Sequence, residues 1–165
     1  MSTNRGLDEL GMRLTEDGCE VRTDQVGGRP ALVGHRVDFL PQMLFSRIHL
    51  YTVAADLERV TGDDVWGFAA EVSRYVTSTS NSLRGAQSGI AAFSVLISPN
   101  VTGDAIEASS GKAPVRFALR VQPVVVDASN GAVHTNRKGQ VFGFMMNGHL
   151  RRKVNLYLPA PATTA

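Results

Sequence analysis

Two stretches decide the fold: Thr61-Gly62-Asp63-Asp64-Val65-Trp66-Gly67-Phe68-Ala69-Ala70-Glu71-Val72-Ser73-Arg74-Tyr75-Val76 and, further along, Ala91-Ala92-Phe93-Ser94-Val95-Leu96-Ile97-Ser98. In the first, Val65, Phe68, Ala69, Val72 and Val76 recur at helical spacing and make one apolar stripe. Thr61 is a candidate N-cap, and Asp63 and Asp64 suit the positive end of the helix dipole. The second stretch is nearly all apolar, as a strand buried on both faces of a sheet would be, and Pro99-Asn100 closes it. Strand, helix, strand in that order favours a right-handed parallel crossover. Phe45–Ala54, ahead of the helix, is therefore expected beside Ala91–Ser98 at the centre of one mixed sheet, with the helix over one face.

Toward the N-terminus, Leu7, Leu10, Gly11 and Leu14 share a helical face, and Asp17-Gly18 supplies a stop. Cys19–Val26 reads as a short strand and Val26-Gly27-Gly28-Arg29-Pro30 as a turn. In Ala31–Phe39 the residues Val33, His35, Val37 and Phe39 take one face and Leu32, Gly34, Arg36 and Asp38 the other. Phe45–Ala54 sets Arg47, His49, Tyr51 and Val53 against Ile48, Leu50 and Thr52. Toward the C-terminus, Thr77–Gly89 is rich in Ser, Asn and Gly and reads as a loop. Thr102–Ser109 is a short helix, and Val115–Val121 an alternating strand that Pro123 demotes locally to an edge or a bulge. Asn130-Gly131 suits a type I′ hairpin turn between Val124–Asp127 and Val133–Thr135. Phe142, Met146, Leu150, Val154 and Leu158 stack on one face of a final helix that Pro159 ends. The expectation is one α/β domain over residues 1–159, with 160–165 as a frayed tail.

The chain of 165 residues is long enough to bury about two-thirds of its unfolded surface. The lone Cys19 excludes an intrachain disulfide and fits a reducing compartment. The opening Met-Ser-Thr-Asn-Arg-Gly lacks the apolar region of a signal peptide, and the apolar runs fall far below the ~18 residues of a membrane span. These features predict a cytoplasmic protein with no membrane partner. Formal net charge is +2. Arg137 with Lys138, and Arg151, Arg152 and Lys153, form small basic clusters that would attract phosphate, although such clusters more often make a solvated face.

The order helix, three-strand meander, helix, buried strand, short helix, strand resembles the PD-(D/E)xK, or Mrr-like restriction nuclease, core. The likeness is more local in Val60-Thr61-Gly62-Asp63-Asp64-Val65, in Phe93-Ser94-Val95-Leu96-Ile97-Ser98, and in Thr102-Gly103-Asp104-Ala105-Ile106-Glu107-Ala108. It extends over Leu7 to Ala108, roughly two-thirds of the chain. It implies a three-layer sandwich, a mixed central sheet flanked by helices. An active member holds Mg²⁺ with an Asp on the second strand and an acid on the third, and a Lys two residues later helps activate water. Asp38 can stand in for the first acid. The third-strand pair falls on His49 and Tyr51, or one step either side, and Phe45–Ala54 contains no Asp, Glu or Lys. Glu71, on the following helix, is the remaining acid that the fold could recruit. The resemblance thus implies a degenerate site, with Asp38, His49, Tyr51 and Glu71 as its vestiges.

Other chemistry is thin. His35 and Asp38 lie three apart on a strand and so point to opposite faces, while His134 and His149 have no acid or Cys nearby in sequence; no metal site and no cofactor are expected, Mg²⁺ entering only with an active nuclease. Nothing around Cys19 suggests a lowered pKa. Gly85-Ala86-Gln87-Ser88-Gly89 precedes a strand instead of following one and lacks the Gly-Lys-Ser/Thr of a phosphate loop. Arg47, His49 and Tyr51, alternating on a central strand, should face a cleft, a partner or a hydrogen-bond network. The expected function is a catalytically inactive restriction-nuclease-like domain that binds a protein partner or itself, through its sheet edge or final helix. Phe142, Phe144, Met145 and Met146 crowd the start of that helix beyond what one stripe buries. The alternatives are a divergent Mg²⁺-dependent nuclease using Asp38, and a non-catalytic nucleic-acid-binding protein. Expected binding residues are Arg47, His49, Tyr51, Arg151, Arg152 and Lys153.

Overall fold

A computed structural model of the chain describes residues 2–41, 46–80, 88–111, 115–116, 119–136 and 144–160. Helix α1 (Ser2–Glu16) precedes an antiparallel meander of β1 (Glu20–Val26), β2 (Arg29–Leu40) and β3 (Ser46–Asp56). Helix α2 (Gly62–Thr79) then leads to β4 (Ser88–Ser98), and α3 (Gly103–Ser110) to the two-residue β5 (Val115–Arg116). β6 (Leu119–Asp127), β7 (Ala132–Thr135) and α4 (Phe144–Tyr157) complete the order. The strands form one mixed sheet, β1-β2-β3-β4-β6-β5, with β7 also on β6. β3 pairs β4 in parallel, Arg47 opposite Ser88 through Asp56 opposite Ile97, so the expected central crossover is present.

Burial divides by face. On one side, α2 and α3 deliver Val65, Phe68, Ala69, Val72, Val76 and Ala105 onto Val33, Tyr51, Val53, Ala92, Leu96 and Val121. On the other, α1 and α4 deliver Leu10, Leu14, Leu150, Val154 and Tyr157 onto Ile48, Leu50, Ala91, Phe93 and Val95. β4 is apolar at nearly every position because it supplies both cores. The result is an α/β sandwich of three layers.

Local chemistry explains where the elements stop. Thr61 caps α2 in a reciprocal box with Asp64, which satisfies two N-terminal donors at once. The helix runs on into the segment expected as a loop. There the hydroxyls of Thr77, Ser78, Thr79 and Ser80 donate to carbonyls of Ser73, Tyr75, Tyr75 and Val76, so residues that usually compete with the helix instead bond to it. Gly27 and Gly28 both take positive φ, 60° and 76°, as a two-residue hairpin of the favoured twist requires.

Two further expectations change. Val115–Val121 is not one strand: Val115–Arg116 pairs antiparallel with Leu119–Arg120, and the strand from Leu119 continues to Asp127. β5 pairs only Arg120 and Leu119, and β7 only Val124 to Asp127, so β6 is locally an edge at Pro123, as expected, and no donor is missed there. The β6–β7 hairpin closes on Asp127 opposite Ala132, with a four-residue loop in place of a two-residue type I′ turn. Several expectations lie outside the described residues: Phe45, Arg84 to Gln87, Arg137, Lys138, Phe142 and residues 161–165, as do the side chains of Phe144, Met145 and Met146.

Candidate functional site

The register of β2 on β3 settles what shares a face with Asp38. Asp38 lies opposite Ile48 and Arg36 opposite Leu50, while Val37 lies opposite His49 and His35 opposite Tyr51. Asp38 therefore faces α1 and α4, and His49 and Tyr51 face the α2 layer. The candidate residues of a vestigial nuclease site are not brought together. Glu71 is further apart in role as well: it packs beside Gly27 and ion-pairs with Arg74 at 2.5 Å.

On the α1 and α4 face, Asp38 belongs to a polar cluster that the sequence did not announce. Its buried carboxylate accepts from Arg36 and pairs with His149 Nε2 at 2.6 Å. Arg36 reaches on to Asp17, at 2.7 Å from its carboxylate. Asp17 in turn accepts from Lys153 Nζ and from the Tyr157 hydroxyl, both at 2.6 Å. Burial alone would raise the Asp17 carboxyl, but hydrogen bonds from Lys153 and Tyr157, with the charges of Lys153 and Arg36, hold it below its ordinary range. Burial pushes the Tyr157 hydroxyl up, with Asp17 adding to the shift. Cys19 lies 3.6 Å from that hydroxyl, and its thiol too is raised, first by burial, which keeps it from acting as a ready nucleophile. The cluster pins α4 to β2 and to the end of α1.

On the opposite face, His35 Nε2 and His49 Nδ1 are 3.0 Å apart. The rings are within 3° of parallel with centres 5.3 Å apart, so they meet end to end in nearly one plane and share a single N–H···N bond. His35 also stacks on Tyr51, whose hydroxyl is 3.5 Å from Ser80 Oγ at the end of α2. Of a cleft, a partner or a hydrogen-bond network, His49 and Tyr51 meet the last, and the second histidine of that network comes from β2. Both imidazoles are held below the ordinary value of 6.5, His35 by burial and then by His49, His49 by burial and then by Arg47. The unfolded chain thus binds more protons just below pH 6.5, and stability should fall as pH drops from there toward the lowered folded values. Urea midpoints at pH 7.5 and 5.5 are expected to show this decline, and His35→Gln to flatten it.

Metal chemistry finds little purchase. No group of three or more His, Cys, Asp or Glu that could hold an ion occurs among the described residues. The two facing ring nitrogens are tied to each other by one N–H···N bond instead of converging on a third point. The Mg²⁺ of a restriction nuclease does not fit either: it needs several oxygens, and Asp38 lies opposite Ile48 on β3, with its carboxylate already taken by Arg36 and His149. Of the expected binding residues, Arg47, Arg151 and Arg152 are exposed. His49 and Tyr51 are 8% and 2% exposed, and Lys153 turns inward to Asp17. No described helix is long and apolar enough to cross a membrane. No protein-family model matches this sequence, and no curated protein matches it either.

Proposed function

We propose that this chain is a binding module built on a restriction-nuclease-like fold, without nuclease chemistry of its own. The observation that carries this reading is the state of Asp38. Its carboxylate is held by Arg36 and His149, and the residue opposite it on β3 is Ile48. A carboxylate already bonded to a guanidinium and an imidazole offers a divalent ion little, and phosphodiester attack needs a metal to generate the nucleophile and steady the leaving oxygen. Within this reading the polar clusters on both faces hold the layers together, and recognition falls to the exposed edges and basic side chains.

The test is cleavage of plasmid and single-stranded substrates in Mg²⁺ or Mn²⁺ by the wild type, beside Asp38→Ala and Glu71→Ala. No cleavage is expected from any of the three. Cutting by the wild type that disappears in either variant would replace this reading with a divergent nuclease. Salt titration of any nucleic-acid affinity separates a phosphate-binding module, whose affinity falls steeply with salt, from one that binds protein.

A further inference from the structure

Strand β1 lies at one end of the sheet order. Among the described residues β1 bonds only to β2, and its two-residue turn fixes which backbone groups are spent. Val26 opposite Arg29 is the hydrogen-bonded pair that flanks the turn. The alternation of an antiparallel ladder then gives Val26, Asp24, Arg22 and Glu20 to β2. Val21, Thr23 and Gln25 direct their N–H and C=O groups outward. Two details agree: Pro30, with no N–H, lies opposite Gln25, and the Gln25 N–H is taken up by the Asp24 carboxylate at 2.8 Å.

Charged residues on an edge strand ordinarily deter pairing. Here their spacing does the opposite for one partner. Arg22 and Asp24 flank Thr23 on the same face, paired with each other at 3.8 Å and each bonded to the Tyr75 hydroxyl, with 39% and 45% of their side chains exposed. In a two-fold antiparallel arrangement centred on Thr23, Arg22 of each copy faces Asp24 of the other, and Val21 faces Gln25. Moving the axis by one residue in either direction sets Arg22 against Arg22 or Asp24 against Asp24. Charge thus selects the register that also pairs the most residues, Glu20 through Val26. Met12, 60% exposed, lines a groove of about 520 Å³ together with Thr23 and would add apolar contact beside the axis.

We propose that a second copy of this chain is the partner of this edge, joined β1 to β1 about Thr23 into one continuous sheet, an isologous dimer formed by strand addition. The proposal rests on the binding-module reading and deepens it. A contact of one strand and one apolar side chain is small, so the dimer is of the transient class.

Sedimentation equilibrium of the full chain across the micromolar range is the test. The wild type should be a reversible dimer. Thr23→Pro removes an outward N–H that β2 does not use, and should be monomeric with an unchanged circular dichroism spectrum. Asp24→Arg should weaken association by about tenfold or more, since cross-strand pairs turn repulsive, and Arg22→Asp combined with Asp24→Arg should restore it. A wild type that stays monomeric, a Thr23→Pro dimer, an indifferent Asp24→Arg or an unrestored double variant would each overturn the proposal. The binding-module reading is judged apart from these outcomes, by the cleavage assay.

Discussion

Phe68→Ala should lower the free energy of unfolding by about 3–5 kcal/mol, the range for truncating a buried phenylalanine. Phe68 is 4% exposed at the middle of the α2 stripe. It belongs to the same core as Val33, Val53, Ala92 and Val121, from four different strands. Truncation leaves a void that four strands cannot close without breaking their ladders, so relaxation recovers little. Urea denaturation measures the loss, with Ala70→Ser, on the exposed face of the same helix, as a control expected to move stability by less than about 0.5 kcal/mol. A loss below about 1 kcal/mol for Phe68→Ala would mean that the helix packs through another face.

The second large effect is expected at Asp17. Asp17→Ala leaves Arg36, Lys153 and the Tyr157 hydroxyl without their common acceptor. Breaking a fully buried pair from one side costs about 3–5 kcal/mol. Asp17, Lys153 and Arg36 keep 18%, 12% and 25% side-chain exposure, so solvent screens part of this and about 2–4 kcal/mol is expected. Asp17→Asn retains one acceptor oxygen and should lose less. The pH dependence carries a further signature. The folded Asp17 carboxyl is held below the ordinary 3.8, so its stabilisation is present above that value and is lost as pH falls through the folded one. The acid limb of the stability curve should therefore be shallower in Asp17→Asn than in the wild type. Equal limbs in the two proteins would show that the cluster does not hold Asp17 ionised.

These two positions differ in how far the sequence exposed them. Phe68 stood in a stripe of period 3.6, and burial of that stripe follows from the period alone. Asp17 read as part of a helix stop, which it is: Gly18 beside it takes φ 82°. Nothing local marked it as an ion-pair hub, because its partners Lys153 and Tyr157 stand 136 and 140 positions away. Asp38 was legible as an acid on the second strand, but not as the partner of His149, 111 positions on. The final helix did offer one signal. Lys153, Tyr157 and His149 recur at intervals of four on one side of the Leu150 and Val154 stripe, a polar rail that a half-buried helix presents to a neighbour.

The features that single elements impose on themselves are legible in the residues alone. The Thr61 cap, the α2 stripe, the doubly buried β4, the Gly27-Gly28 turn and the facing of His49 and Tyr51 away from Ile48 and Leu50 all follow from dihedral preference and period. Whatever depends on two elements meeting came only with the packed fold. It set Asp38 and His49 on opposite faces of the sheet, joined His35 to His49, and let Pro123 stand inside β6 by parting the ladders of β5 and β7. Periodicity reports which way a side chain points. The partner that waits there is fixed by strand register and helix placement, which depend on the packing of the whole chain.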